Sequence, residues 1–593
     1  MDNIFNSVKL TKPARNLFDL SFDNKSTVEF GELVPVLLQE MLPGDEVRLK
    51  QEVYVRLMPT LSPILHKVDV YLHTFFVPNR LIYDRWNDFL TGEVNDDAAH
   101  TPLTPPHTHF EDLGMVNRQL YQYGLSVFSP APLEFTQPDP SNVPVWNTSY
   151  SEPAYPLGFL SDYLGLPTSV KDNYPCKTFD SLPISLLPFR AYQLIYNEYY
   201  RDENLIPELD FSREGGYFDS VYFASNMYET FSLFMLRHRA WRKDYFTASL
   251  PWTQKGAQVI LPLGSSAPLT GNPSFAFANV VETGDRHWLT YNPATASGSA
   301  TGGTLAIQDF SADGDWSLSR GSLQVDLSHA SSASINDFRV ALRVQEWLEK
   351  NARCGSRYIE QILAHFGVMT PDARLQRPEF LGGSKATLTV TEVLQSSPYD
   401  PDKGNYTPVG LPAGKVTGYD NNSDIHYYCY EHGYLMTIAS VMPKANYYQG
   451  IPRHWTRTSL MDFYWPEFAN LGEQGTFNHE IFVPFAASAN QSPGLFTAYG
   501  DFGYMPRYME YRCNQDTIHC DFRDSLDFWH LARQFNSAPA LNEFFIDVFA
   551  VRDGLDRIFS VTTSTNGKHI LMEVFNDFKA LRPLPVYAVP SLA

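Results

Sequence analysis

The segment just before residue 250 carries the strongest chemical signal in the sequence. Four basic side chains fall within seven residues there, with aromatic side chains between and after them. Cations beside flat aromatic faces are typical of single-stranded nucleic acid binding, because the charges contact phosphates while the rings stack on bases. Arginine and tryptophan are also enriched where protein subunits meet. The segment therefore predicts a contact with a nucleic acid strand or with a neighbouring subunit. Its candidate residues are Arg237, His238, Arg239, Trp241, Arg242 and Lys243, followed by Tyr245 and Phe246.

Two further groups of arginines are candidate site residues. Arg453, Trp455 and Arg457, with His454 among them, repeat the combination of cations and an aromatic ring, and the same two alternatives apply to them. Arg374 and Arg377 lie in DARLQRPEF, a stretch without helical or strand periodicity. We expect these two arginines to form ion pairs that anchor an irregular backbone.

Motifs for enzymatic chemistry are missing from the sequence. GLPAGKV at 410–416 has the wrong spacing for a phosphate-binding loop and lacks Ser or Thr after Lys415. Neither G-x-S-x-G nor H-E-x-x-H occurs. We therefore predict no catalytic residues, no cofactor and no enzymatic activity. Two alternatives remain open: a β-sandwich carbohydrate hydrolase, which would need two acids converging in a cleft, and a monomeric carbohydrate-binding adhesin.

Two clusters towards the C-terminal end contain metal-ligating residue types. Cys513 and Cys520 flank His519, and this spacing is wider than that of the cysteine pairs in structural zinc sites. Four aspartates could bind a hard cation if a loop gathered them, but ion pairs with nearby arginines are the simpler interpretation. We therefore predict no metal site. The aspartates are Asp516, Asp521, Asp524 and Asp527, and the arginines are Arg512 and Arg523.

The composition limits the possible partners. The 593-residue chain has a net charge of −21, so this chain alone is poorly suited to neutralise nucleic acid. If it encloses DNA, another component must supply most of the positive charge. Aromatic residues make up 14% of the chain and charged residues only 19%, with 42 prolines. This combination predicts a β-rich and loop-rich protein that hides much of its surface in a core or against other chains.

Cysteine content and hydropathy indicate where such a chain is made. Five cysteines are few and odd in number, which fits synthesis in a reducing cytoplasm. Runs of about 18 apolar residues are missing, so no membrane span is expected. The first residues lack the apolar segment of a secretory signal.

The elements that must position these residues are predicted mainly as β-strands. Residues 47–57 and 66–77 alternate between apolar and polar side chains, as half-buried strands do. Residues 433–442, 543–551 and 569–578 also have the pattern of strands. Strands near both chain ends predict an all-β fold with helical and loop insertions, specifically an antiparallel β-sandwich of the jelly-roll type.

The segments between these strands are predicted as insertions into a single domain spanning 1–593. Residues 87–187 are rich in Pro and Tyr and are predicted to form a surface excursion, followed by a short helix at 187–204. Residues 261–334 are rich in Gly, Ser, Thr and Ala and contain no Lys, which predicts a functional or disordered loop. Residues 334–383 begin with a helical period that predicts two short helices with a bend.

Five blocks of the sequence resemble a known family in the same order. The third block ends in DARLQRPEFLGG, and together with its two predicted helices it resembles the major capsid protein of the Microviridae, in particular of the gokushovirus-like small single-stranded DNA phages. The other four blocks are similar to the same family. Together the blocks make up just under a third of the chain. They are residues 18–86, 237–256, 334–383, 433–455 and 502–512.

The resemblance implies a viral structural protein built on an eight-stranded antiparallel jelly roll, a viral β-sandwich. It implies that sixty copies form a T=1 icosahedral shell around circular single-stranded DNA. It also implies three further partners: a small basic DNA-packaging peptide, a pilot or minor virion protein, and a receptor on the host surface. In this family the insertion corresponding to 261–334 builds a protrusion at the three-fold axis, which implies a role in host attachment. The expected location is the virion, after assembly in the cytoplasm of a bacterial host.

Overall fold

Segments that alternate between apolar and polar residues near both chain ends form a two-sheet core in a computed structural model of the chain. The chain divides into two compact units, one formed by residues 1–253 with 354–593 and the other by residues 254–353. The structure describes residues 14–92, 102–122, 157–167, 182–257, 259, 335–394, 412–484, 500–548, 552–560 and 568–586, and five short strands between 269 and 325.

The strands alternate with long connections. In chain order they are β1 (Asn16–Asp19), β2 (Phe22–Val28), β3 (Val34–Met41), β4 (Glu46–Leu57), β5 (Val68–Pro78), β6 (His107–His109), β7 (Pro183–Ser185), β8 (Leu269–Thr270), β9 (Phe275–Asn279), β10 (Arg286–Leu289), β11 (Trp316–Ser319), β12 (Gln324–Val325), β13 (Glu379–Thr387), β14 (Thr389–Leu394), β15 (Pro412–Tyr428), β16 (Gly433–Pro443), β17 (Glu473–Phe477), β18 (Asp501–Pro506) and β19 (Ile570–Arg582).

Two antiparallel sheets form the core of the first unit. One has the order β1-β19-β4-β15-β14, with β2 also paired to β19, and the other has the order β13-β5-β16-β3. From β2 to β5 each successive strand lies in the opposite sheet, and the chain alternates again through β13, β15, β16 and β19. This alternation is the wrapping expected of a jelly roll, and the predicted β-sandwich class is confirmed. Because β1 and β14 extend the first sheet, it contains six strands instead of the expected four.

The two ends of the chain meet in the first sheet. Strand β19 pairs with β4 from Ile570 opposite Leu57 to Leu581 opposite Glu46. The strands predicted at 47–57 and 569–578 are therefore present and adjacent. The strands predicted at 66–77 and 433–442 are also present, as neighbours β5 and β16 in the second sheet.

The two sheets differ in how they are covered. In β4 every second residue is buried, which confirms the predicted half-buried strand. In β5 nearly every residue is buried, so the alternation predicted at 66–77 does not describe its environment. The reason is that helices cover the second face of this sheet, where Phe75 and Val77 pack with Leu113, Phe189 and Phe234.

A polar network lies between the sheets at the centre of the core. Gln51 Nε2 donates to Asn576 Oδ1 (2.7 Å) within the first sheet and to Thr437 Oγ1 (3.2 Å) on the second sheet. The hydroxyl oxygens of Thr74 and Thr437 are 2.9 Å apart. Because buried polar groups are costly when unpaired, this network favours one relative placement of the two sheets.

The helices occur in the connections between the strands. In chain order they are α1 (Trp86–Thr91), α2 (Phe110–Gln122), α3 (Leu160–Tyr163), α4 (Leu187–Ile195), α5 (Ser220–Ser225), α6 (Met227–Phe234), α7 (Ile335–Arg353), α8 (Tyr358–Phe366), α9 (Asn478–Ile481), α10 (Glu543–Ile546) and α11 (Arg552–Leu555). A π-helical turn spans Tyr196–Tyr200, and 3₁₀ turns span Asn79–Leu81, Arg453–Trp455, Leu460–Asp462, Pro466–Phe468, Met509–Tyr511, Cys520–Arg523, Asp527–Trp529 and Asp556–Ile558. In the part of the chain that the structure describes, no helix is both long and apolar enough to span a bilayer.

Over its described residues, 543–548, the segment predicted as a strand at 543–551 forms no strand. The segment begins with the short helix α10, which starts after Asn542. The Asn542 side chain accepts a hydrogen bond from the backbone N–H of Phe545 (3.0 Å) and so caps the helix. This local cap outweighs the strand propensity of the apolar residues that follow.

The helices predicted around 187–204 and 334–383 are present. Helix α4 continues into a π-helical turn, so the first of them extends to Tyr200. Helices α7 and α8 correspond to the predicted pair, and Gly367 ends α8 in the left-handed conformation with φ +69°. The N-cap of α8 is Arg357.

The second unit contains a three-stranded sheet of order β10-β9-β11, the strand pair β12-β8, and α7. The 261–334 insertion falls within this unit, but most of its residues lie outside the described part of the chain. The same holds for much of the 87–187 excursion. The predicted three-fold protrusion and surface excursion therefore stay predictions.

Candidate functional site

The predicted basic segment begins with arginines that the fold uses internally. Arg237 donates from Nε to Gln193 Oε1 (2.8 Å) and from Nη2 to the backbone oxygen of Ser232 (2.6 Å). Its guanidinium also lies 5.3 Å from the ring centre of Tyr196. Burial lowers the pKa of Arg237. The side chain therefore supports the packing of the helices against the second sheet.

Arg239 and Trp241 are also held inside the subunit. Arg239 Nη1 donates to Ser440 Oγ (2.8 Å), and its guanidinium carbon lies 4.2 Å from the ring centre of Tyr71. Burial lowers the pKa of Arg239. Trp241 packs in the core between the sheets. Neither residue presents its charge or ring to a partner in this arrangement.

The other residues of the segment lie closer to solvent. His238 Nδ1 is 3.3 Å from Asp547 Oδ2. Lys243 pairs with Asp202 and donates to the backbone oxygen of Thr247 (3.2 Å). Arg242 and Lys243 are the accessible cations of the segment, with more than half of each side chain exposed.

Arg242 belongs to a cluster that the sequence did not indicate. The Asp69 side chain is only 7% exposed, and it is approached by Lys385 Nζ (2.8 Å), Arg242 Nη1 (3.8 Å) and Lys67 Nζ (3.9 Å). Burial raises the pKa of Asp69, but hydrogen bonds from Lys385 and Thr387 outweigh it, so that the pKa is lowered overall. A single ionised carboxylate thus organises three cations.

These three cations, Lys67, Arg242 and Lys385, form what we term the basic patch. Their side chains are 52%, 62% and 39% exposed. One carboxylate does not neutralise three cations, so the patch is locally positive on an acidic chain. Lys385 Nζ also lies 5.5 Å from the ring centre of Tyr71, which places an aromatic face beside the charges. Because Tyr71 is only 9% exposed, its ring supports the cations from inside, and the exposed charges are the groups that can bind phosphate.

The sequence identified only Arg242 of the basic patch because strand pairing assembles the rest. Lys385 lies opposite Tyr71 and Thr387 lies opposite Asp69 where β13 pairs with β5. More than 300 positions separate these strands in the chain. Lys67 precedes β5 directly. Only the pairing of β5 with β13 could have indicated that these cations meet.

The second predicted set divides between the interior and the surface. Arg453 Nη1 donates to the backbone oxygen of Gly475 (2.9 Å) and lies 3.6 Å from Glu480 Oε1. Arg457 Nη2 lies 3.4 Å from Glu510 Oε1, and its guanidinium carbon is 4.4 Å from the ring centre of Tyr511. Both arginines are mostly buried and serve the fold. Trp455, in contrast, is 75% exposed.

The two predicted anchors also differ. Arg377 Nε lies 2.9 Å from Asp372 Oδ1, and its guanidinium carbon is 4.4 Å from the ring centre of Tyr199. This is the geometry of an anchor for the irregular segment. Arg374 is exposed. Its anchoring role stays a prediction.

The residues of metal-ligating type have other contacts. Asp516 pairs with Lys444 (2.6 Å), and Cys513 Sγ donates to the backbone oxygen of Met509 (3.4 Å). The structure gathers a different set, in which ligand-type atoms of Glu29, Asp556 and His569 all lie within 4.8 Å of one another. The His569 Nδ1 atom lies 3.0 Å from Glu29 Oε1 and 3.5 Å from Asp556 Oδ1, an ion-pair arrangement when the ring is protonated. No sequence pattern could indicate this set, because its members are far apart along the chain.

Comparison with known proteins identifies the family. A sequence model of the family described as capsid protein (F protein) matches residues 6–121 and 135–592. The chain belongs to this phage capsid protein family. This capsid protein is 31% identical to capsid protein VP1 of Chlamydia phage 1 over 658 residues, with 100% of this chain and 98% of the relative covered.

Two further relatives agree with this assignment. The capsid protein is 31% identical to capsid protein VP1 of Bdellovibrio phage phiMH2K over 600 residues, which cover 99% of this chain and 97% of the relative. It is 28% identical to capsid protein VP1 of Spiroplasma virus 4 over 577 residues, which cover 95% and 92% of the two chains. The resemblance to Microviridae capsid proteins is therefore confirmed. The relatives of this chain are structural proteins. Membership of the capsid protein family implies that the chain self-assembles into a shell and is present in the virion.

A half-buried histidine on β5, His73, is expected to make the stability of the capsid protein depend on pH. His73 Nδ1 lies 2.9 Å from the Tyr200 hydroxyl oxygen. Burial, helped by the charge of Arg239, lowers the pKa of His73 from its ordinary value of 6.5 to about 4. The neutral ring is the form that the fold accepts. Its contribution to stability is therefore complete above pH 6.5 and is lost progressively as the pH falls towards 4.

We expect the thermal unfolding midpoint of unassembled subunits to fall between pH 6.5 and pH 4, and to fall less steeply in the variant His73→Gln. Melting curves across this pH range test the prediction. The exposed residue His426 provides the matched control. In His426→Gln the unfolding midpoint should fall with pH as steeply as in the wild-type subunit. An unchanged slope in His73→Gln would contradict the assignment.

Proposed function

We propose that this chain is the major capsid protein of a T=1 icosahedral shell, in which sixty copies enclose circular single-stranded DNA. The observation that carries the proposal is the match to phage capsid proteins along nearly the whole chain. The antiparallel sandwich supports it, because such a unit offers rigid edges and faces for contacts with copies of itself. The subunits assemble in the cytoplasm of the bacterial host and remain in the virion.

The basic patch contacts the enclosed strand in this proposal. Lys67, Arg242 and Lys385 would pair with phosphates of the strand. Contacts of this kind do not read sequence, as packaging of a whole genome requires. Because the net charge of the chain is −21, a small basic packaging peptide supplies most of the neutralising charge.

The remaining partners follow from the resemblance. A pilot or minor virion protein accompanies the shell, and the 261–334 insertion projects near the three-fold axis and contacts a receptor on the host surface. Loops that project from a rigid scaffold commonly carry recognition, which supports this role for the insertion.

Imaging of the expressed protein tests the proposal directly. The chain, expressed with the phage genome and the packaging peptide, should form uniform spherical particles that protect single-stranded DNA from nuclease. Image reconstruction should show sixty copies. A stable monomer or small oligomer under the same conditions would contradict the shell, and empty particles alone would contradict the packaging role.

A further inference from the structure

Trp455 belongs to a large exposed apolar surface, which we term the aromatic platform. Its members lie on the 3₁₀ turns and connections between Arg453 and Leu471, together with one residue from a later turn. Each of these large side chains is about half exposed or more. They are Trp455, Leu460, Met461, Phe463, Tyr464, Trp465, Leu471 and Tyr511.

The aromatic platform is held in shape by hydrogen bonds to its own backbone. The Asp462 carboxylate accepts from the backbone N–H groups of Ser459 (2.7 Å) and Thr458 (2.9 Å), and these bonds lower its pKa. Trp465 Nε1 donates to the backbone oxygen of Leu460 (3.2 Å). Preformed surfaces lose less conformational entropy when they bind, so the platform is prepared for a partner.

Several contacts hold the central members of the platform together. The ring centres of Tyr464 and Tyr511 are 5.9 Å apart. The Arg457 guanidinium lies 4.4 Å from the ring centre of Tyr511 and 5.8 Å from that of Phe463, and so bridges them from below. Arg507 Nη2 donates to the backbone oxygen of Met461 (3.0 Å).

The size of the platform corresponds to a protein interface. Aromatic side chains can bury about 150–250 Å² each, so eight large side chains that are about half exposed offer roughly 800 Å². This is about one side of a standard protein–protein interface. It exceeds the largest apolar patch of a typical monomer, about 300–600 Å². A surface of this size must be covered for the protein to stay soluble at high concentration.

The charges around the platform favour a protein partner over nucleic acid. Arg453 and Arg457 are turned towards Glu480 and Glu510, so their charges are compensated inside the subunit. The outward surface is then mostly apolar, with Trp, Tyr, Phe, Met and Leu side chains around one exposed acid, Glu467. Aromatic residues and Met are the types enriched at subunit interfaces.

We propose that the aromatic platform binds a second copy of this chain and forms a subunit contact of the shell. The inference rests on the proposed function, because self-assembly supplies a neighbour for every copy. It names the surface that makes the contact, whereas the comparisons name only the family.

Chemical labelling in assembled particles tests the inference. In the variant Trp455→Cys, the thiol should react quickly with a maleimide in unassembled subunits and at least tenfold more slowly in particles, as read by peptide mass spectrometry. Equal labelling rates in the two states would overturn the inference while leaving the shell intact. Protection in DNA-filled particles but not in empty ones would assign the platform to nucleic acid and overturn it as well. If the wild-type chain forms no particles, the proposed function itself fails.

Charge placed on the platform gives a second test. The double variant Trp455→Glu with Phe463→Glu should yield at least tenfold fewer particles, while the melting temperature of the subunit stays unchanged because both residues are exposed. Tyr430, which is 79% exposed and lies outside the platform, provides the matched control Tyr430→Glu. Normal particle yield from the double variant, or an equal loss in the control, would overturn the inference.

Discussion

A triple variant with glutamine in place of Lys67, Arg242 and Lys385 is expected to bind single-stranded DNA about 100-fold more weakly at about 0.1 M salt. Each cation that contacts a phosphate of a single strand adds about 0.7 to the slope of log affinity against log salt concentration. Loss of three contacts should therefore reduce the slope of log affinity against log salt concentration by about two in magnitude. Both the variant and its reference should carry Asp69→Asn, so that no buried carboxylate is left without its cations. Anisotropy of a labelled oligonucleotide between about 50 and about 200 mM salt measures the slope.

The chain offers a matched control for this experiment. Lys25, Arg48 and Lys579 lie on β2, β4 and β19 of the first sheet and are similarly exposed. Their replacement by glutamine makes the same change in net charge and should leave the slope near that of the reference. If the control lost as much affinity as the variant, the binding would reflect net charge alone. If the variant kept its affinity, the basic patch would not contact DNA.

The second large effect is expected at a buried ion pair that joins the two ends of the chain. Methionine in place of Lys568 should lower the free energy of unfolding of the subunit by about 3–5 kcal/mol, because it leaves the Glu32 carboxylate charged and buried. Lys568 Nζ lies 2.6 and 2.8 Å from the Glu32 carboxylate oxygens and donates to the Tyr163 hydroxyl (2.7 Å). The two charged side chains are 6% and 0% exposed. Urea denaturation of unassembled subunits measures the loss.

Two further variants show whether the cost comes from the stranded charge. Lys568→Met combined with Glu32→Gln should be more stable than Lys568→Met alone, since the double variant removes the uncompensated carboxylate. Lys25→Met disrupts the exposed pair of Lys25 with Glu573 and should change the unfolding midpoint little. Equal stability of Lys568→Met and the wild-type subunit would show that the pair does not stabilise the fold.

Local sequence patterns correctly predicted those strands and helix ends whose environment depends on residues close to them in the chain. Strand β4 alternates in sequence and in burial, since one face of the first sheet stays open to solvent. Gly367 ends α8 because only a short-range backbone requirement has to be met there. The same reasoning failed at 543–551, where the Asn542 side chain caps a short helix. It also failed for β5, where helices from distant parts of the chain bury the second face.

The candidate site residues show the same division. The sequence located the basic and aromatic segment at 237–243, but residue type could not tell which cations reach solvent. The fold encloses Arg237 and Arg239 against Tyr196 and Tyr71 and leaves Arg242 exposed.

By itself, then, the sequence determined the fold class, the family and the segments that carry charge and aromatic rings, because spacing and composition are local properties. The tertiary structure alone decided which of those residues form a surface. The basic patch needs the register of β13 on β5, and the Lys568–Glu32 pair joins positions 536 residues apart. Burial and pairing depend on partners brought together by the whole fold, and the energy of a charged group depends on both.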